Sequence, residues 1–162
     1  MDRLWSPWRM EYIEAAKAEP EGCVFCDLPA KGDDAATYIL RRGEHGFVLL
    51  NSFPYNPGHV MVAPFRHTGD LEGLDPVELL DLDRLMQDSI RALREEMAPH
   101  GFNVGMNLGR VAGAGIPDHL HWHVVPRWGG DTNFMPVVGQ TRVLPELLDE
   151  TYRRLAPRLA DR

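Results

Sequence analysis

The sequence predicts a single α+β domain with an antiparallel sheet of about five strands, a long central helix, and helices at both ends. Three observations support this fold class. Five short apolar segments are bounded by glycine, proline or asparagine, which is typical of strands. One long segment carries apolar residues at a spacing of three to four, which is typical of an amphipathic helix. Neighbouring strand segments have short connections, which favours antiparallel pairing over a doubly wound parallel sheet.

The N-terminal residues predict a short helix that precedes the sheet. Ser6 and Pro7 are a suitable N-cap and first helical residue. Pro20 stops the helical pattern, since proline lacks the amide hydrogen that a helix interior needs. We therefore expect residues 1–20 to form an N-terminal helical extension.

Three strands are predicted in the first half of the chain. The first two lie on either side of a turn at residues 43–46, and a segment rich in proline, asparagine and glycine, residues 53–58, leads into the third. Short connections of this kind predict an antiparallel meander. The predicted strands cover residues 38–41, 47–51 and 59–64.

The longest helix is predicted to begin at Asp75 and Pro76 and to end before Pro99 and Gly101. Its apolar stripe should cover one face of the sheet, and core packing accounts for these residues without any functional role. The stripe consists of Leu79, Leu82, Met86, Ile90, Leu93 and Met97.

Two further strands and a last helix follow. Residues 102–108 and 118–126 are predicted strands joined by a glycine-containing loop, residues 109–117. Residues 127–162 form a predicted C-terminal extension in which Pro145 begins a helix. The apolar residues of this helix are Leu148, Tyr152, Leu155 and Leu159.

Composition narrows the classes of function. The chain has 162 residues, of which 44% are hydrophobic and 25% charged, as expected for one domain over residues 1–162. Its net charge of -7, from 24 acidic and 17 basic residues, argues against a surface that follows a long nucleic acid. No segment approaches the roughly 20 apolar residues of a membrane span, and the first residues lack a secretory signal's apolar core. We therefore expect a cytoplasmic protein that binds neither membranes nor long nucleic acids.

Three histidines, His119, His121 and His123, are spaced two residues apart near the end of the predicted sheet. On a strand this spacing sends all three imidazoles to one face and the apolar residues between them to the other. Side-by-side imidazoles repel when protonated, so structure alone gives little reason for such a cluster. The pattern predicts phosphoryl chemistry, a metal site, or both.

The loop before the histidines contains Gly109, Gly113 and Gly115. Glycine lets backbone amides approach an anion closely, so this loop is a candidate phosphate cradle. It lacks the Lys-Ser/Thr pair of a phosphate-binding loop, and a plain hairpin connection is an equally good interpretation.

Cys23 and Cys26 are the only two cysteines, so a disulfide framework is excluded. A redox Cys-x-x-Cys motif normally follows a strand, whereas Pro20 and Gly22 precede this pair. We therefore favour metal binding over redox chemistry.

The segment His-Leu-His-Trp-His-Val-Val at residues 119–125 resembles the signature of the histidine triad (HIT) family. Residues 51–59 resemble the family's ribose-binding turn, residues 103–107 resemble the stretch before its triad, and the resemblance covers most of residues 23–128. Two flanks are similar to a bacterial branch that includes diadenosine tetraphosphate phosphorylases and hydrolases. These flanks are residues 4–9 and 126–134.

The resemblance implies an HIT-like sheet and a nucleotidyl hydrolase or transferase that acts on the α-phosphate of adenine nucleotides. His121 falls on the family's nucleophile, which forms a nucleotidyl-histidine intermediate. His123 would stabilise charge on the phosphate oxygens, and His59 would be an additional catalytic histidine. Whether water or phosphate accepts the nucleotidyl group stays open, so both a hydrolase and a phosphorylase are retained.

The resemblance also implies which residues contact the nucleotide. The base pocket would be apolar, although ordinary core packing explains its residues equally well. Asn51 falls where the family binds ribose hydroxyls, and the glycine loop would meet phosphate or sugar. The implied contacts are Phe25, Leu28, Leu49, Asn51, Ser52, Asn107, Gly113, Ala114, Gly115, His121 and His123.

Zinc-binding members of the superfamily imply a structural zinc site. Its ligands here would be Cys23, Cys26, His67 and His119, with His45 or His59 as alternatives to His67. Two thiolates and two imidazoles make a closed tetrahedral set that braces a site without activating water. The family further implies a homodimer.

One departure from the family concerns the position before the triad, where many members have a polar side chain and this chain has Gly115-Ile116-Pro117. A nucleoside polyphosphate leaves with less proton donation than an amine does, so this departure favours dinucleoside polyphosphates over phosphoramidates. Two other functions stay open. One is a nucleotide-binding or protein-interaction module without a catalytic role, and the other is a redox or metal-handling protein centred on the cysteines.

Overall fold

The computed structural model describes residues 22–131 and 146–160. It confirms the α+β class, with an antiparallel five-stranded sheet and a long central helix. The predicted helix within residues 1–20 lies outside the described residues, as does Pro145. Among the described helices none is long and apolar enough to cross a membrane. In chain order the elements are α1 (Val24–Ala30), β1 (Ile39–Arg42), β2 (Gly46–Leu50), β3 (Val60–Pro64), α2 (Pro76–Met97), β4 (Gly101–Gly105), β5 (Trp122–Arg127) and α3 (Leu148–Ala160).

The sheet order is β1-β2-β3-β5-β4, and every neighbouring pair is antiparallel. The first three strands form the predicted meander. Strand β5 then enters between β3 and β4, so β5 has a neighbour on both sides and β4 lies at an edge. This order places His123, which pairs with Met61 of β3 and Gly105 of β4, in the middle of the sheet.

Helix α2 begins at the predicted position because Asp75 and Glu78 form a reciprocal capping box. It ends where Ala98 takes the left-handed conformation, with φ 45°. Its buried face includes Leu82, Leu85, Ala92 and Leu93. Leu79, which the spacing assigns to this face, is 36% exposed. The buried face begins with Glu78 and continues through Leu82, so Leu79 lies at its margin.

The two predicted strands around the glycine loop are both too long. Strand β4 ends at Gly105, and β5 begins at Trp122, not at residue 118. The cause at β5 is a contact outside the sheet, since the amide of Leu120 donates to the carbonyl oxygen of Thr68 in an irregular segment. Helix α1 was not predicted, because its seven residues include Pro29 and give no clear helical period.

Each face of the sheet has its own apolar core. Helices α2 and α3 cover one face over the larger core, which contains Leu120 and Val124 and packs against Trp122. The opposite face carries a smaller core of Phe25, Ile39, Phe47, Leu49 and Ala63. Side chains therefore alternate through the triad segment as predicted. The histidines lie on the side of the smaller core, with His119 and His121 against Phe25.

Candidate active site and metal centre

His121 is buried, and one hydrogen bond fixes the position of its ring proton. Its Nδ1 lies 2.9 Å from the backbone carbonyl oxygen of His119. A carbonyl oxygen can only accept, so Nδ1 carries the proton and Nε2 carries the lone pair. The ring therefore has a lone pair on Nε2, and this nitrogen can act as a nucleophile.

A second chain of hydrogen bonds fixes the protons of His59 and His123. The backbone amide of Tyr55 donates to Nδ1 of His59 at 3.1 Å, so the His59 proton lies on Nε2. That nitrogen is 2.9 Å from Nδ1 of His123 and donates to it. The remaining proton of neutral His123 must then lie on Nε2, which makes this atom a hydrogen-bond donor.

Burial favours the neutral form of the His121 and His123 imidazoles. Desolvation lowers the pKa of His121 below its usual value near 6.5, although the bond to the His119 carbonyl opposes the shift. Desolvation, with a smaller contribution from the charge of His121, lowers the pKa of His123 to about 4. At neutral pH His121 therefore offers a lone pair and His123 offers a neutral hydrogen-bond donor, without the repulsion between two imidazolium rings.

The predicted base-pocket residues meet on the histidine side of the sheet. Phe25 and Leu49 belong to the smaller core, and Leu28 packs at its margin. The ring centroids of Phe25 and His121 are 4.8 Å apart. Ile116 packs against the same core and was not singled out from the sequence. Its position in the glycine loop, directly after Gly115, was the available signal.

Asn51 and Ser52 lie at the end of β2, next to His59. The side-chain oxygen of Asn51 accepts the backbone amide of Phe53 at 2.8 Å, which closes the turn. Its side-chain nitrogen is 3.4 Å from Nδ1 of His59. Ser52 is exposed. A ribose hydroxyl could use the second lone pair of the Asn51 oxygen without breaking the turn.

The glycine loop uses most of its predicted donors internally. The Gly113 amide donates to Arg110, and the Ala114 amide donates to Gly109, so neither faces a ligand. The side chain of Asn107 donates to the Gly113 carbonyl at 3.3 Å. Within the described part of the chain, the Gly115 amide has no intramolecular acceptor. Of the three predicted cradle residues, Gly113, Ala114 and Gly115, it is therefore Gly115 whose amide can meet an anion.

Cys23, Cys26, His67 and His119 form one cluster, with candidate ligand atoms all within 4.8 Å of one another. Nδ1 of His119 lies 3.3 Å from Cys23 Sγ and 3.6 Å from Cys26 Sγ, and 3.2 Å from Nδ1 of His67. Cys26 Sγ is 3.5 Å from Nδ1 of His67. In a zinc tetrahedron with bonds of about 2.0–2.3 Å, ligand atoms stand about 3.3–3.8 Å apart. The donor set thus fits zinc in both chemistry and spacing.

The ring of His119 is oriented by a carbonyl on its far side. Its Nε2 lies 2.8 Å from the carbonyl oxygen of Pro64, so Nε2 donates and Nδ1 keeps its lone pair toward the cysteines. Burial, followed by the neighbouring Cys23, raises the pKa of the Cys26 thiol above its ordinary value. A bound cation would counter this shift by stabilising the thiolates.

The two alternative ligands lie outside this cluster. His45 is beside Glu44 at the turn before β2, and His59 is engaged with His123. His67 is exposed, so the cluster opens toward the surface on that side.

A family model described as "HIT domain" matches residues 34–130 of the chain. A relative described as "AP-4-A phosphorylase", from Mycobacterium tuberculosis, is 43% identical over 163 aligned positions, which cover 96% of this chain and 83% of the relative. The match therefore extends over nearly the whole sequence.

Two solved structures share the fold. A zinc-bound histidine triad family protein from Mycobacterium smegmatis superposes with a TM-score of 0.69 at 31% identity, over 86% of this chain and 94% of the other. A hypothetical histidine triad nucleotide-binding protein from Sulfolobus tokodaii has a TM-score of 0.69 at 22% identity, over 86% and 93% of the two chains. The second likeness supports the fold alone.

Proposed function

The chain belongs to the histidine triad (HIT) family, and we propose that it is a nucleotidyl hydrolase or transferase for adenine nucleotides, with diadenosine tetraphosphate as its favoured substrate. The observation that carries this proposal is that the ring protons of His121 and His123 occupy complementary positions. His121 presents a lone pair on Nε2, and His123 presents a proton on Nε2. The name of the mycobacterial relative supports the choice of substrate.

In the first step, Nε2 of His121 attacks the α-phosphorus and forms a nitrogen–phosphorus bond. The bond from phosphorus to the bridging oxygen breaks, and ATP leaves with that electron pair. His121 keeps its Nδ1 proton on the His119 carbonyl throughout. The Nε2 proton of His123 stabilises the charge that develops on the phosphate oxygens.

In the second step, an acceptor attacks the nucleotidyl-histidine and releases His121. Water gives AMP, whereas inorganic phosphate gives ADP, and ATP is the other product in both cases. Tetraphosphate cleavage suits this site because ATP is a good leaving group, and the residues before the triad, Ile116 and Pro117, carry no side-chain donor.

The nucleotide would be held from two sides. Phe25, Leu28 and Leu49 supply an apolar surface for the base beside His121, and Asn51 supplies an oxygen for the ribose. Further polar contacts would come from Ser52, from Asn107 and from the Gly115 amide, which would be the principal phosphate donor of the loop, while the Gly113 and Ala114 amides stay in their internal hydrogen bonds.

The cluster of Cys23, Cys26, His67 and His119 is proposed to hold a structural zinc ion. When bound, zinc would stabilise the two thiolates and fix the four side chains, leaving no position open for water. Support comes from the ligand spacing and from the zinc-bound relative. The ion would brace the segment that carries the His119 carbonyl.

A homodimer through strand β4 is also proposed. This strand is at the sheet edge, and residues 103–105 are exposed, with Val104 46% exposed. An uncovered edge can pair with a second copy and extend the sheet. A cytoplasmic location and the extent of the domain over residues 1–162 stay predictions.

Product analysis with diadenosine tetraphosphate, with and without inorganic phosphate, tests the function. ADP and ATP in the presence of phosphate would identify a phosphorylase, and AMP and ATP would identify a hydrolase. Affinity for AMP by calorimetry without any product in either assay would instead identify a binding module and overturn the proposal.

A further inference from the structure

We propose that Asn56 is a positioning residue, which Asp131 and the Pro126 carbonyl hold in place so that the Tyr55 amide stays aligned with His59. This inference rests on the proposed function, because it assigns a role in setting the proton of His123. Asn56 does not touch the reacting atoms. It acts through the turn that carries Tyr55 and through the ring of His59.

The side chain of Asn56 uses its nitrogen twice. Its Nδ2 donates to the Pro126 carbonyl oxygen at 2.9 Å and to Oδ2 of Asp131 at 2.8 Å. Pro126 is near the end of β5, the strand that carries His123, and Asp131 follows that strand by four residues. Asn56 is only 9% exposed, so losing either acceptor would leave a costly unpaired donor.

Asp131 is itself held by several donors. Arg127 binds both of its carboxylate oxygens, at 2.6 and 2.9 Å, and the Trp128 amide donates to Oδ2 at 3.2 Å. The Asp131 side chain is 12% exposed. A carboxylate with this many donors has a fixed orientation, which makes it a firm anchor for Asn56.

The backbone of Asn56 links this anchor to the catalytic histidines. Its carbonyl oxygen accepts the His59 amide at 3.1 Å, and the preceding residue, Tyr55, donates its own amide to Nδ1 of His59. Gly58 packs the same turn against α2, since a Cβ there would lie 2.7 Å from Met97 Sδ. The turn is thus held at both ends, and the Tyr55 amide is fixed between them.

Two donors face Nδ1 of His59: the Tyr55 amide at 3.1 Å and the more distant side-chain nitrogen of Asn51 at 3.4 Å. The Tyr55 amide makes the shorter and stronger bond, so its alignment has the larger effect on which nitrogen of His59 is protonated. If the Tyr55 amide moves away, His59 can place its proton on Nδ1 and present a lone pair to His123. Nδ1 of His123 would then take the proton, and Nε2 would change from a donor to an acceptor. An acceptor at this position repels phosphate oxygens and cannot stabilise the transition state.

The test compares the full-length wild type with Asn56→Ala and Asp131→Ala. In Asn56→Ala we expect kcat for diadenosine tetraphosphate to fall about ten- to a hundredfold, as expected for a small misplacement of a catalytic group. KM should change less than about threefold, since Asn56 contacts no substrate. Asp131→Ala should show a smaller loss, because the Pro126 acceptor remains.

Nitrogen-15 NMR of the histidine rings provides a readout that a purely structural role would not move. The wild type should show His123 protonated on Nε2, and Asn56→Ala should show a mixture of the two tautomers. Asp88→Ala is the matched control, since it removes a carboxylate of α2 that is 16% exposed and is paired with Arg41 of β1 and with Arg91. It should keep both kcat and the His123 spectrum.

An unchanged kcat or an unchanged His123 tautomer in folded Asn56→Ala would overturn the proposal. If Asn56→Ala does not fold, the same two readouts in Asp131→Ala decide it. The NMR measurement needs no substrate, so it separates this proposal from the proposed function. A wild type with the predicted tautomer and no turnover would overturn the function and leave the positioning role standing.

Discussion

The backbone carbonyl of His119 accepts the Nδ1 proton of His121 at 2.9 Å, while the His119 ring belongs to the cysteine–histidine cluster. One residue therefore serves both the candidate metal centre and the candidate nucleophile. Its ring faces Cys23 and Cys26, and its carbonyl sets which nitrogen of His121 is nucleophilic. Loss of metal and loss of chemistry should consequently be separable by mutation.

Cys26→Ala should lose zinc and stability while it keeps the proposed catalytic histidines. We expect no stoichiometric zinc and a melting temperature lower by more than about 5 °C, since a closed structural site contributes directly to folding. Metal analysis and calorimetry would check this. His45→Ala is the control, because His45 lies outside the cluster, and it should retain zinc. Unchanged zinc content in Cys26→Ala would exclude the cluster as the site.

His121→Ala should show the opposite pattern. Turnover of diadenosine tetraphosphate should fall by about a thousandfold or more, because the nucleophile is gone. Zinc content should change little, since His121 is not among the four clustered residues. AMP should still bind, since the proposed base and ribose contacts are made by other side chains. Kinetics, metal analysis and calorimetry on the same preparation would test this, and substantial remaining turnover would rule out His121 as the nucleophile.

The buried imidazole of His123 should make folding stability depend on pH. Its pKa is lowered to about 4, so the unfolded chain takes up a proton first as the pH falls below about 6.5. The stabilisation is complete above that pH and is lost progressively down to about pH 4. His123→Gln should therefore show a shallower fall in melting temperature across this window, by a few degrees. Parallel curves for the two proteins would contradict this assignment.

Val104→Pro should yield a folded monomer if β4 is the dimer edge. Phe102 pairs with Pro126, which has no amide hydrogen, so the backbone groups of Phe102 and Val104 face away from β5. Proline at residue 104 would remove an outward donor and spare the internal ladder. Sedimentation would measure the state, with Val104→Thr as the control that keeps the amide. A dimeric Val104→Pro protein would place the interface elsewhere.

Sequence patterns predicted the faces of the triad better than its secondary structure. Alternation correctly placed Leu120 and His121 on opposite sides of the sheet. Side chains alternate in any extended backbone, whether or not it is hydrogen-bonded as a strand. The start of β5 could not be predicted, since it depends on whether Leu120 bonds to a strand or to Thr68. That choice is made by tertiary contacts.

The side chains of the candidate site were largely predictable, whereas the proton positions were not. Cys23 and Cys26 pointed to the metal cluster through their spacing, and His67 joined them through the family resemblance. The tautomers depend on backbone groups, namely the His119 carbonyl and the Tyr55 amide. Every residue has such groups, so no residue type in the sequence marks them.

The stereochemical course at the α-phosphorus tests the covalent mechanism most directly. The substrate would be diadenosine tetraphosphate with sulfur in one known configuration at the α-phosphorus, cleaved with inorganic phosphate or heavy-oxygen water as acceptor. Attack by His121 followed by attack of the acceptor inverts the phosphorus twice, so the account predicts net retention. Net inversion would contradict it, because a single inversion means that the acceptor attacks the substrate directly.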